Sequence, residues 1–467
     1  MRRGIIRAET AWKRTHWRSR SAAVSIRSLL SIVVLATGTC QGAAPVPAPL
    51  TDTDFHADGA PPPAEVALGR LLFFDKLLSG NRNIACATCH HPDAATGDGL
   101  ALSIGEGGRG PALERTPGLG ADRVPARVGR NATPLFNVGA RSYKRMFHDG
   151  RVEVHPQDPA RFLTPAGSAL PGGLRNVLAA QAMFPVLAPL EMAGQEGENA
   201  IAEAVAAGDF QRAWALLTAR LQNPANGYTD YFIDVFPHID AADDIGFVDA
   251  ANALAAFQAA TWRSDNAPFD SWLRGDRTAL SEAEQRGLNL FYGDAGCHRC
   301  HSGPLLTDHR FHAVGMPQLG QGKGNGFDGL DDFGRENVTG DPADRYRFRT
   351  PSLRNVMLTG PWGHAGGFDS LRNLLRHHLD PVAGLRHYSP APLAPARADL
   401  AGTDLTVMRS HARRDAIARR VEQRPVRLTD GEVADLLAFL GALTDATLSD
   451  AQSLVPGQVP SGLPVRD

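Results

Sequence analysis

Apolar residues recur at three- and four-residue intervals in several stretches of the chain, the spacing that lines one face of a helix. The pattern predicts helices over 200–221, 248–262, 281–291, 370–379 and 429–443. Two of these starts carry capping boxes, Ser281 with Glu284 and Thr429 with Glu432, whose side chains satisfy the free N–H groups of a first helical turn. In the last segment Val433, Leu436, Leu437 and Leu440 fall on one face, as in a terminal helix that covers a core. Long Gly/Pro-rich stretches, 97–134 and 315–337, separate the periodic segments, and no alternating strand set emerges. The expected fold is mainly α with long loops. A weak repeat divides it: Gly69-Arg70-Leu71-Leu72-Phe73-Phe74 has a counterpart in Gly287-Leu288-Asn289-Leu290-Phe291-Tyr292. Two similar units are therefore expected, with a seam between Trp262 and Thr278.

Each copy of the repeat precedes a Cys-x-x-Cys-His pentad, Cys86-Ala87-Thr88-Cys89-His90 and Cys297-His298-Arg299-Cys300-His301. The spacing is that of covalent c-type haem attachment. Two thiols reach the two vinyl groups across one tight turn, and the following histidine ligates iron. A Cys/His zinc site or two disulfides are the alternatives, and neither explains a histidine directly after both second cysteines. The two units thus read as cytochrome c-like haem domains carrying two covalently bound haems, with His90 and His301 as proximal ligands.

With 467 residues and 43% hydrophobic content the chain can bury two or three cores. A net charge of −2 carries no polyelectrolyte signature, so a nucleic-acid partner is not expected. Basic residues from Arg2 to Arg27 precede the apolar run 29–37, which reads as a secretory signal too short to span a membrane. The expected organisation is a signal peptide at 1–44, a Pro/Ala-rich linker at 45–63, haem domains at 64–268 and 269–450, and a tail at 451–467. Cys40 is expected to leave with the signal; lipidation is the alternative, which Thr37 and Thr39 fit poorly. Export to the periplasm agrees with c-type haem attachment outside the bacterial cytoplasm.

The motifs Leu68-Gly-Arg-Leu-Leu-Phe-Phe-Asp75, Phe147-His-Asp-Gly-Arg151, Pro189-Leu-Glu-Met192, Thr350-Pro-Ser-Leu-Arg-Asn-Val356 and Pro361-Trp-Gly-His364 stand, with the first pentad, in a telling order. From about residue 65 to 445 the chain resembles the bacterial dihaem cytochrome c peroxidases and their relative, the methylamine-utilisation (MauG-like) enzymes that oxidise a partner protein. The resemblance implies hydrogen peroxide reduction at the N-terminal haem, with electrons passing through the C-terminal haem from a small periplasmic cytochrome c or cupredoxin. It implies a MauG-like attack on a protein substrate as the alternative, and a non-catalytic electron carrier as a third reading. A homodimer is also implied. Peroxide cleavage needs an open iron and a proton shuttle. Glu191 stands among apolar residues, and alone it reads as a loop carboxylate; the resemblance makes it the catalytic acid, accompanied by Gln181. Calcium is implied between the domains at Asn131 and the backbone oxygens of Thr359 and Pro361.

Three departures from the family pattern shape the expectations. Where the peroxidases carry a distal histidine, this chain reads Ser103-Ile104-Gly105-Glu106-Gly107-Gly108, with no histidine between His91 and His148. The first haem is therefore expected to be open at rest. In Leu371, Leu374, Leu375 and His378 one helical face is apolar, which puts His378 inward and His377 aside. On residues alone His378 reads as a core histidine, but its distance from His364 matches the family's sixth ligand of the second haem; Met316, Met357 and His364 compete. His148 replaces the family's tryptophan between the haems, and imidazole is much harder to oxidise than indole. Arg345, Arg347 and Arg349 read as a solvated strand, and Asp328, Asp331 and Asp332 as a solvated loop.

Overall fold

A computed structural model describes residues 45–110, 112–119, 123–389, 398–448 and 451–466. The expected signal segment, with Cys40, lies outside the described residues. The protein is mainly helical with little sheet. Each copy of the sequence repeat forms one member of a crossed helix pair. In the first, helix Pro63–Phe74 crosses helix Phe247–Thr261. Gly69 sits at the crossing, where a Cβ would fall 1.9 Å from the Ala253 carbonyl oxygen. In the second, helix Glu282–Tyr292 crosses helix Asp430–Gly441, and a Cβ on Gly287 would fall 2.0 Å from the Asp435 carbonyl oxygen. Phe73 meets Phe257 at 5.2 Å between ring centroids, and Phe291 meets Phe439 at the same separation. The repeated glycine and aromatic are thus the contacts that set how closely the helices approach.

Both expected capping boxes form. The Ser281 amide donates to Glu284 Oε2 at 2.7 Å, and the Thr429 amide to Glu432 Oε2 at 2.7 Å. Val433, Leu436 and Leu440 are buried as expected, while Leu437 is half-buried. The predicted 200–221 helix is broken into Ala200–Ala206 and Phe210–Gln222. Gly208 turns at φ +71°, and the Asp209 side chain caps the second helix by accepting from the Arg212 amide. Strands Arg145–Met146, Val152–His155 and Asp158–Leu163 form an antiparallel sheet that hydrophobic alternation did not announce. Its last strand is largely solvent-facing, and its register slips between Val154 and His155.

The larger core draws on residues from Leu50 to Trp262, joined by Leu305 and Val459, and the smaller on residues from Phe269 to Leu443. The segment 45–63 is no free linker. Phe55 is buried under the Arg263 guanidinium, which pairs with Asp52 at 2.7 Å. The tail from 451 also packs back on the first unit: Arg70 donates to the Leu454 and Ser453 carbonyls, and Ser461 Oγ donates to Asp75 Oδ1 at 2.7 Å. A Pro/Ala-rich composition concealed the few apolar and polar side chains that anchor both ends.

Candidate active site

The first pentad lies on the one-turn helix Cys86–Cys89, which brings two cysteines three residues apart onto one side. His90 leaves the turn, and its Nδ1 lies 3.0 Å from the Thr96 carbonyl oxygen. The second pentad repeats this on the 3-10 turn Cys297–Arg299, with His301 Nδ1 3.0 Å from the Leu306 carbonyl. A ring N–H given to a carbonyl fixes the tautomer and leaves the Nε2 lone pair free for a metal. Burial lowers the pKa of His90, and burial with the His378 charge takes His301 to about 4, so both rings stay neutral.

Cys86, Cys89, Cys297 and Cys300 are unpaired, which removes the disulfide alternative. Burial pushes the Cys86, Cys89 and Cys297 thiols up to about 12. All four cysteines and both histidines are nevertheless only half-buried, so they face space that protein does not fill. Among the described residues Cys300, Asp308 and His312 also converge, but Cys300 belongs to the pentad and His312 is engaged by Asp308 at 2.8 Å.

His378 shares the electrostatic neighbourhood of His301, and its Nδ1 is 3.1 Å from the Leu374 carbonyl, again leaving Nε2 free. The expected burial of the adjacent pair is reversed. His377 is 3% exposed, packed on Phe368 at 5.1 Å, while His378 is half-buried beside the second pentad. The apolar stripe of this short helix does not fill the space below His378. Of its competitors, Met357 is exposed, Met316 Cε lies against Gly363, and His364 is buried and stacked on Phe348 at 3.7 Å.

Glu191 stands in the π turn Pro189–Ala193, where the Glu191, Met192 and Ala193 amides all converge on the Ala188 carbonyl at 3.0 Å. Its side chain is half-buried, and its charge is felt at Cys89 and His90. Gln181, also half-buried, stands in the last turn of the preceding helix Val177–Ala182, braced by Trp214 Nε1 donating to the Met183 carbonyl at 2.9 Å. The 103–108 loop lies directly on the Glu191 turn: the Glu106 amide donates to the Leu190 carbonyl at 3.1 Å. Arg115 fixes that loop by donating to the Gly105 and Gly110 carbonyls at 2.7 and 2.8 Å.

A family model described as di-haem cytochrome c peroxidase matches residues 63–278. The methylamine utilization protein MauG of Methylorubrum extorquens is 32% identical over 363 residues, 74% of this chain and 81% of that protein. The chain belongs to the dihaem cytochrome c peroxidase and MauG family. Cytochrome-c peroxidase IdrP1 of Denitromonas iodatirespirans is 28% identical over 447 residues, 90% of this chain and 93% of that protein. A solved MauG-like protein associated with microbial copper homeostasis superposes with a TM-score of 0.55 at 27% identity, covering 88% of this chain and 96% of that one. The family is one of haem-dependent oxidoreductases, and membership implies two c-type haems. The two pentads, each with two unpaired cysteines three residues apart and a histidine whose Nε2 is free, fit that cofactor.

In this dihaem protein the family's Phe-Trp-Asp-Gly-Arg motif, here Phe147–Arg151, ties the units together. His148 is half-buried, with Nε2 3.1 Å from the Asn131 carbonyl, and desolvation together with Arg130 holds its pKa down at about 3. A neutral His148 therefore donates to Asn131. The Asn131 amide donates to the His364 carbonyl at 2.9 Å, and its carboxamide lies 2.7 Å from the Pro361 carbonyl. The structure thus brings Asn131 and Pro361 together, with Thr359 two residues along the same turn. Trp362 is anchored through Nε1 to the Val356 carbonyl at 2.9 Å.

Sequence reading missed a buried triad: Arg130 donates to Asp332 at 2.7 and 2.9 Å and to Asp149 at 2.6 Å. Asp332 is therefore not part of a solvated loop. Arg349 is buried too, donating to the Phe147 carbonyl, whereas Arg345 and Arg347 pair with Glu336 and Glu422. The Asp332 partner of Arg130 and the Phe147 partner of Arg349 each lie 202 residues away in sequence, so no local signal pointed to them.

Proposed function

We propose that the chain is a periplasmic peroxidase that reduces hydrogen peroxide to water at the first pentad. Electrons arrive through the second pentad from a small cytochrome c or cupredoxin. Cys86, Cys89 and His90 hold the first haem; Cys297, Cys300 and His301 hold the second, with His378 as its sixth ligand. Bound haem iron supplies the redox centre at which the O–O bond breaks. Glu191 takes the proton from one peroxide oxygen and returns it to the departing one, and Gln181 orients the substrate beside it.

The observation that carries this reading is the rigid Glu191 turn, within electrostatic reach of His90 and packed on a 103–108 loop that bears no imidazole. Glu191→Gln in the haem-loaded protein should slow peroxide consumption by about 10²–10⁴-fold with haem content unchanged. An unchanged rate would overturn the assignment.

The histidine-free 103–108 loop and a two-imidazole second site also favour a MauG-like reading, in which peroxide drives oxidation of a residue on a partner protein. Imidazole in place of methionine lowers the potential of a c-type haem, which suits a high-potential electron donor poorly. Peroxide-dependent mass change in a partner, without turnover of a reduced cytochrome, would select it. Calcium at Asn131, Thr359 and Pro361 belongs to the same proposal. Amide oxygen and nitrogen are interchangeable in placement, and with the Asn131 carboxamide turned over it offers neutral oxygens beside the Pro361 carbonyl.

A further inference from the structure

We infer that Lys323, carried on the glycine-rich loop of the second unit, forms a binding subsite for small inorganic anions, hydroperoxide included, beside the Glu191 face of the first pentad. The inference rests on the reading of that pentad as the peroxide site. The loop is seated firmly. A Cβ on Gly129 would fall 2.3 Å from the Gly322 carbonyl oxygen and 3.5 Å from Lys323 Cδ, so the loop of one unit lies on the backbone of the other. The Lys323 amide donates to the Asp331 carbonyl at 3.0 Å, Gln321 Nε2 to the Arg127 carbonyl at 2.8 Å, and the Gly320 amide to the Asp404 carbonyl at 2.9 Å. These bonds fix the backbone from which the Lys323 side chain extends.

The cations around it are already matched. Arg130 is held by Asp332 and Asp149, and Arg151 by Asp149. Lys323 makes no ion pair among the described residues. The charges it feels are Arg130, Arg151, Glu191 and Asp332, and Asp332 is committed to Arg130. The backbone on which the loop rests leads to the Glu191 turn: the Val128 amide donates to the Ser103 carbonyl at 3.0 Å, and a Cβ on Gly105 would fall 3.1 Å from Val128 Cγ2 and against the Leu190 carbonyl oxygen. Glu191 is the acid that remains on that side. The Lys323 side chain stays accessible to solvent, although surrounding protein and the two arginines draw its pKa below the ordinary lysine value. An unmatched cation next to a proton-shuttling carboxylate concentrates small anions where the acid works. Such focusing raises local anion concentration by about tenfold or more.

Two sources of anion share this chemistry: a small anion from solution and the carboxylates of the haem itself. The test titrates haem-loaded wild type, Lys323→Met and Lys323→Arg with azide and with neutral imidazole, followed optically at the first haem, and measures that haem's midpoint potential. Azide affinity should fall about tenfold in Lys323→Met and recover in Lys323→Arg, while imidazole affinity stays level. A shifted potential with unmoved azide affinity would assign the ammonium to haem carboxylates and overturn the subsite, as would no change in either. Wild type that binds neither ligand would instead overturn the open-site reading on which the inference rests.

Discussion

Removing the Asp332 carboxylate should destabilise the protein far more than losing a surface ion pair. Asp332 is fully enclosed, the Arg130 side chain is 5% exposed, and the pair is bidentate at 2.7 and 2.9 Å. In Asp332→Ala, Arg130 keeps one partner, Asp149, and leaves Nε and one Nη buried without an acceptor. Stranding a buried charge in this way costs about 3–5 kcal/mol, against at most about 1 kcal/mol for an exposed pair. Burial alone would raise the Asp332 carboxyl; Arg130 outweighs it and holds the pKa at about 2. A depressed native pKa stabilises the fold above the ordinary carboxylate range. That stability, roughly 2–3 kcal/mol, drains as pH falls from about 4 towards 2. Denaturant melts of the haem-loaded protein at neutral and acid pH read both effects. Asp332→Ala should lower the midpoint at neutral pH and flatten its acid dependence, and Arg130→Met with Asp332→Leu should recover part of the loss, because the guanidinium is no longer stranded and Asp149 keeps Arg151 at 3.3 Å. A single-variant loss below about 1 kcal/mol would refute the claim that this triad clamps the two units.

Other predictions follow from the same geometry. Gly287→Ala should destabilise by about 1–3 kcal/mol or more, because its Cβ must displace the Asp435 backbone; an unchanged thermal midpoint would mean the helices separate freely. His378→Ala should convert the second haem from low to high spin without loss of covalent haem, read by optical and magnetic spectra; a retained low-spin signal would hand the ligand role to another side chain. Calcium chelation should loosen the Asn131 loop and lower the thermal midpoint, an effect that added calcium reverses; indifference to chelator would remove the metal from this turn.

The pentads, the repeated Gly-aromatic helices and both capping boxes were legible because their chemistry is local: spacing, period and reciprocal caps sit within one turn of chain. The proximal ring orientations were not, since Thr96 and Leu306 reveal themselves as carbonyl acceptors only once the loops close. Nor was the Arg130 triad, whose acids are separated by nearly the length of a domain. The 45–63 segment and the tail misled by composition, because Leu50, Phe55 and Val459 are scattered apolar anchors in Pro-rich runs. The His377 and His378 pair misled by helical wheel, which gives a face and not what lies opposite it. Lys323 acquires its meaning only from the unit it reaches across to.

The most direct test of the account is an electron paramagnetic resonance spectrum of the oxidised, haem-loaded protein, before and after peroxide, in wild type and Glu191→Gln. The account predicts one high-spin haem and one low-spin bis-imidazole haem, with a peroxide response that the Glu191→Gln variant loses. Two low-spin haems indifferent to peroxide would contradict it and leave an electron carrier.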